Sequence, residues 1–116
     1  MSAFLVDGAE AEDCPPASIP EGALARELPI VNRKGLHARA SAKLVQTVER
    51  FASEVTVTRC GETVGGRSIM GILTLGAAQG TTITVTAKGE DAEACLEAIA
   101  GLVAGRFGEE DRKSVV

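Results

Sequence analysis

Apolar residues along this chain switch repeatedly between helical and strand spacing, and that alternation constrains the fold more than any other feature. Ala40, Leu44, Val48 and Phe51, with Val45 between them, recur at three- and four-residue steps and predict a helix that follows His37. Glu54-Val55-Thr56-Val57-Thr58 alternates at period two, and Cys60-Gly61-Glu62 reverses it into a short strand through Val64. Thr82, Thr84 and Thr86 interleave with Ile83, Val85 and Ala87, which predicts a strand with one buried face and one wet face. Ala92, Cys95, Leu96, Ile99, Leu102 and Val103 return to helical period between an Asp91 cap and Gly105.

Two further elements complete the series. Leu24, Leu28 and Ile30 line one face of a strand that Pro29 keeps at or near a sheet edge. Ser68 reads as the cap of a short helix carrying Ile69, Met70, Ile72 and Leu73. The predicted order is β-α-β-β-α-β-α, an α+β domain with its helices packed on one face of a mainly antiparallel sheet.

One domain is expected, over residues 24–108. Residues 1–23 carry Asp7, Glu10, Glu12 and Asp13 and are punctuated by Pro15, Pro16 and Pro20, so they read as a disordered acidic extension, and 109–116 as a tail. The twenty residues from Ser68 to Ala87 hold no charge, which raises the question of a membrane span. Five threonines, Gln79 and three glycines in that window argue instead for a strand and against membrane insertion. The N-terminus has neither the basic nor the apolar region of a secretory signal. Cys14, Cys60 and Cys95 are odd in number and widely spaced, predicting no disulfide framework, no metal motif and a reducing cytoplasm.

The lone histidine, His37, draws the chemistry. From Leu28 to Val48 there is no acidic residue and there are four basic ones, in a chain of net charge -4. That local positive island surrounds the one side chain able to exchange protons or phosphoryl groups near neutral pH. So small a patch in an acidic chain with no Trp or Tyr does not suit nucleic acid. At a helix start, the free N–H groups of Ala38, Arg39 and Ala40 would favour an anion, and the Arg39 guanidinium suits phosphate oxygens. Arg33, Lys34 and Lys43 add positive field. No cofactor is implied.

Gly35-Leu36-His37-Ala38-Arg39, then Gly65-Gly66-Arg67-Ser68-Ile69-Met70-Gly71, then Leu75-Gly76-Ala77-Ala78-Gln79-Gly80, together resemble the HPr family, the histidine-containing phosphocarriers of the phosphotransferase system. The resemblance covers roughly residues 24–108. It implies an HPr-like open-faced β-sandwich of the same element order, four strands with three helices on one face. It also implies a stoichiometric carrier rather than an enzyme. His37 would take a phosphoryl group on Nδ1 from phosphoenolpyruvate through enzyme I, pass it to an enzyme IIA domain, and be assisted by Arg39. Ser68 is implied as a regulatory site for an HPr kinase/phosphorylase, in a protein expected to be monomeric. Where many family members have Pro after the motif's Arg, this chain has Ala40, which keeps its N–H.

Bland readings stand beside these. A histidine near a helix start also caps or packs, Lys34 and Lys43 also suit a solvated helix face, and Ser68 caps with or without a kinase. Ile69 and Met70 read either as core residues or as exposed anchors for partners. A second function is a regulatory binding protein of a nitrogen-type or incomplete phosphotransferase system, acting mainly through the phosphorylation state of Ser68. An acylphosphatase-like enzyme of similar layout would need an anion-binding loop and a water-orienting amide, and neither is evident.

Overall fold

The computed structural model describes residues 19–109. The extension and tail expected from sequence fall largely outside this range, in residues 1–18 and 110–116. Seven elements follow one another: β1 (Leu24–Pro29), α1 (Ala38–Val48), β2 (Glu54–Arg59), β3 (Glu62–Gly65), α2 (Ile69–Thr74), β4 (Thr82–Lys88) and α3 (Ala92–Ala104), with a final 3-10 turn at Arg106–Gly108. The predicted order stands.

The sheet runs β1-β4-β2-β3, with every neighbouring pair antiparallel. β4 therefore lies between β1 and β2, pairing Leu28 with Ile83 on one side and Val57 with Val85 on the other. Pro29, which has no N–H for a ladder, sits on edge strand β1 as its chemistry demands. At the β2–β3 hairpin Cys60 and Gly61 both take positive φ, 51° and 82°, the geometry that matches a two-residue turn to strand twist. Cys95 is a buried free thiol.

The core lies between the sheet and the helices. Val55, Val57, Ile83, Val85 and Ala87 present one sheet face to Leu44 and Val48 of α1, Ile72 of α2 and Cys95, Leu96 and Ile99 of α3, all of them buried. Alternation in the strands and helical period in α1 and α3 thus converge on one apolar layer.

Three expectations need correction. Leu24, at the start of β1, is 47% exposed, whereas Leu28 and Ile30 are buried. Thr86 is buried, not wet: its hydroxyl pairs with that of Thr56 at 2.5 Å, and Thr58, also buried, pairs with Thr63 at 2.8 Å. Cross-strand threonines thus shield one another on the outer face. Asp91 occupies the N-cap position of α3 but its side chain caps nothing there. Its carboxylate instead accepts from the Ala52 N–H and the Ser53 hydroxyl, tying the α1–β2 connection to the start of α3. These bonds, Ser53 foremost, hold the Asp91 carboxyl below its usual pKa.

The chain after α3 is unusual. Arg106, Phe107 and Gly108 all take positive φ, at 60°, 55° and 75°. For the two non-glycine residues this costs about 1–2 kcal/mol each. Burial of the Phe107 ring and a 2.7 Å bond from Lys43 Nζ to the Phe107 carbonyl hold the turn in place. Lys43 was expected to add positive field; it is used as a strut between α1 and this turn.

Candidate functional site

His37 is the N-cap residue of α1, with extended backbone at φ -78° and ψ -176°. Its carbonyl accepts the first helical bond, from Ser41 N–H at 2.8 Å, so the N–H groups of Ala38, Arg39 and Ala40 come before any intrahelical partner. The histidine side chain makes no cap bond of its own and is about a quarter exposed. Arg39 is exposed and forms no ion pair among the described residues. An anion placed at this helix start would meet backbone donors, the helix dipole and an unpaired guanidinium.

The loop carrying His37 is fixed from below. Gly35 has φ +67°, and a Cβ there would lie 2.4 Å from the Ala77 carbonyl oxygen. Only glycine lets the loop settle onto that backbone, where Leu36 N–H donates to Ala77 O at 2.8 Å. Gln79 Nε2 donates to Val31 O at 3.1 Å, and Gly80 N–H to Ile30 O at 2.9 Å. The Leu75-to-Gly80 motif is therefore the floor of the histidine loop.

The middle motif has its own local logic. A Cβ on Gly66 would lie 2.6 Å from Val55 Cγ1, and Arg67 donates to the carbonyls of Phe51 and Ser53 at 2.9 and 3.3 Å. That anchors the turn into α2, where the Ser68 hydroxyl accepts the Gly71 N–H at 3.0 Å as the expected N-cap. Ser68 is exposed, as are Ile69 at 40% and Met70 at 70%, so these two apolar residues are not core. Both contrast with Ile72 on the same helix, which is fully buried.

Two residues close the site that sequence reasoning did not select. The Glu109 carboxylate contacts Nε2 of the His37 ring through Oε2. Asn32, fully buried, donates from Nδ2 to both Glu109 oxygens at 3.2 Å and to the Gly35 carbonyl at 2.8 Å. Burial pushes the Glu109 carboxyl upward, but the bonds to His37 and Asn32, with the charges of His37 and Lys34, outweigh it and leave the pKa below the usual value. Asn32 was legible as a turn former three residues before Gly35. Glu109 carried no local signal: it lies 72 residues from His37 and was expected to begin the tail.

A family model described as "PTS HPr component phosphorylation site" matches residues 24–105. This chain belongs to the HPr family of the phosphotransferase system. It is 46% identical over 87 residues to the phosphocarrier protein HPr of Xylella fastidiosa, covering 75% of this chain and 98% of the relative. It is 41% identical over 86 residues to the phosphocarrier protein NPr of Shewanella violacea, covering 74% of this chain and 94% of that one. Among solved structures, an HPr from Thermoanaerobacter tengcongensis superimposes with a TM-score of 0.72 at 39% identity, covering 75% of this chain and 98% of that one. The HPr fold thus accounts for the sheet order and the open outer face. Among the described residues no cluster suited to a metal ion occurs, and no helix is long and apolar enough to cross a membrane.

Proposed function

We propose that this HPr-family chain is a stoichiometric phosphoryl carrier, accepting the group on Nδ1 of His37 from phosphoenolpyruvate by way of enzyme I and passing it to an enzyme IIA domain. The observation that carries the reading is the placement of a partly exposed imidazole at the N-terminus of α1, with the free N–H groups of Ala38, Arg39 and Ala40 and the unpaired Arg39 guanidinium around it. These groups stabilise a phosphoryl dianion without covalent participation. The imidazole is the nucleophile, and a phosphorus–nitrogen bond suits a relay because it breaks as readily as it forms.

Ser68 is the regulatory site in this reading. Its exposed hydroxyl lies at the start of α2 beside Ile69 and Met70, an apolar pair suited to docking enzyme I and enzyme IIA. A phosphate added there by an HPr kinase/phosphorylase would set close to two negative charges against that pair and weaken docking to an acidic partner.

Incubation with phosphoenolpyruvate and enzyme I should add one acid-labile, base-stable phosphate, lost in His37→Ala. Labelling that persists in this variant overturns the assignment. The purified phosphoserine form should accept label on His37 more slowly, and an unchanged rate rejects the inhibitory role of Ser68.

A further inference from the structure

Neither the family match nor the three motifs give Glu109 a role, yet it is the residue bonded to the His37 ring. It arrives there by a built path. The left-handed run at Arg106, Phe107 and Gly108 turns the chain back toward α1, with the Phe107 ring in the core and its carbonyl held by Lys43. Asn32, itself fully buried, then fixes both carboxylate oxygens.

Given the carrier reading above, on which this rests, we propose that Glu109 is a positioning residue for phosphoryl transfer: its carboxylate holds the Nε2–H of His37 and so leaves Nδ1 as the nitrogen with the lone pair. An ionised carboxylate only accepts, so the ring nitrogen facing it must be the donor. Glu109 is held below its usual pKa and is ionised at neutral pH, which makes the neutral imidazole the Nε2–H tautomer. In the transfer the Nδ1 lone pair forms the bond to phosphorus while the donor's bond to phosphorus breaks and its electron pair leaves with the donor. The ring keeps its Nε2 proton and becomes a phosphoimidazolium. Glu109 then faces the positive charge that develops on the ring, as a carboxylate behind a catalytic histidine does in general.

The same carboxylate is not a stand-in for phosphate. Its hydrogen-bonding partners are His37 and Asn32, and neither Arg39 nor the first N–H groups of α1 donate to it. It occupies the Nε2 side of the ring and leaves the helix-start donors to an incoming group.

The test uses the full chain with Glu109→Ala and Glu109→Gln, checking first that the backbone amide spectrum of the core is retained. Nitrogen-15 NMR of the ring above the imidazole titration range should show a protected Nε2 proton in the wild-type chain, absent in Glu109→Ala and restored in Glu109→Gln, whose amide oxygen still accepts. Labelling by phosphoenolpyruvate and enzyme I should slow by roughly tenfold or more in Glu109→Ala, the scale of one lost charge-assisted hydrogen bond. Glu109→Gln should recover only part of that rate, since it restores the acceptor and not the charge. A protected Nε2 proton that persists in Glu109→Ala, or labelling there at the wild-type rate, overturns the role given to Glu109. Failure of the wild-type chain to take label overturns the carrier reading itself.

Discussion

Truncating Phe107 to alanine tests how the C-terminal turn is held and what it delivers. The ring is 1% exposed and belongs to the main core, so its removal both loses transfer free energy and leaves a cavity. Buried Phe→Ala changes cost about 3–5 kcal/mol, against a total of roughly 5–15 kcal/mol for a domain of this size. At φ 55° alanine is no less strained than phenylalanine, so no relief offsets the loss. With a urea slope of about 1.5 kcal/mol/M, the midpoint should fall by roughly 2–3 M, and the melting temperature by at least about 12 °C. Phe107→Gly loses the same ring but relieves the left-handed backbone, and should be less damaging than alanine by about 1 kcal/mol. The same lesion loosens the carbonyl that Lys43 holds and the delivery of Glu109 to His37. A midpoint shift below about 0.5 M at unchanged slope would refute the reasoning, because the turn would then not depend on its aromatic anchor.

Three other outcomes follow from the geometry. Gly35→Ala puts a Cβ 2.4 Å from the Ala77 oxygen at φ +67°, so urea unfolding should show a loss of at least about 2 kcal/mol, and a loss under about 0.5 kcal/mol would show that the loop can lift off its floor. Ser68→Ala removes the N-cap acceptor of α2 and should cost about 1 kcal/mol in the same assay while His37 is still labelled. Asp91 has its folded pKa depressed, so its contribution is present above the ordinary value of 3.8 and is lost as pH falls through the lower folded value. Stability measured from about pH 5 down to about pH 2 should therefore decline more steeply in the wild-type chain than in Asp91→Ala, and parallel curves would contradict the assignment.

Much of the fold was legible because side-chain period reports backbone geometry directly. The Leu44, Val48 and Ile99 stripes and the Val55, Val57, Ile83 and Val85 alternation each name their own buried face. The starts of α1 and α2 were legible for a similar reason: His37 and Ser68 stand where helical spacing begins, and both are N-cap residues. What escaped depends on contacts between distant segments. Thr86 is buried because Thr56 stands beside it across the sheet, and Asp91 leaves its own helix to bind Ala52 and Ser53. Lys43 reads as a charge on a helix until the Phe107 carbonyl is seen at its tip. Glu109 reaches His37 only because three successive residues adopt left-handed backbone, and in two of them no glycine announces it.

The central claim is that His37 holds the phosphoryl group, and phosphorus-31 NMR of the chain after treatment with phosphoenolpyruvate and enzyme I tests it most directly. The account predicts a single phosphohistidine resonance, of the Nδ1 type, that vanishes in His37→Ala. A phosphate on any other residue, or none at all, would contradict it.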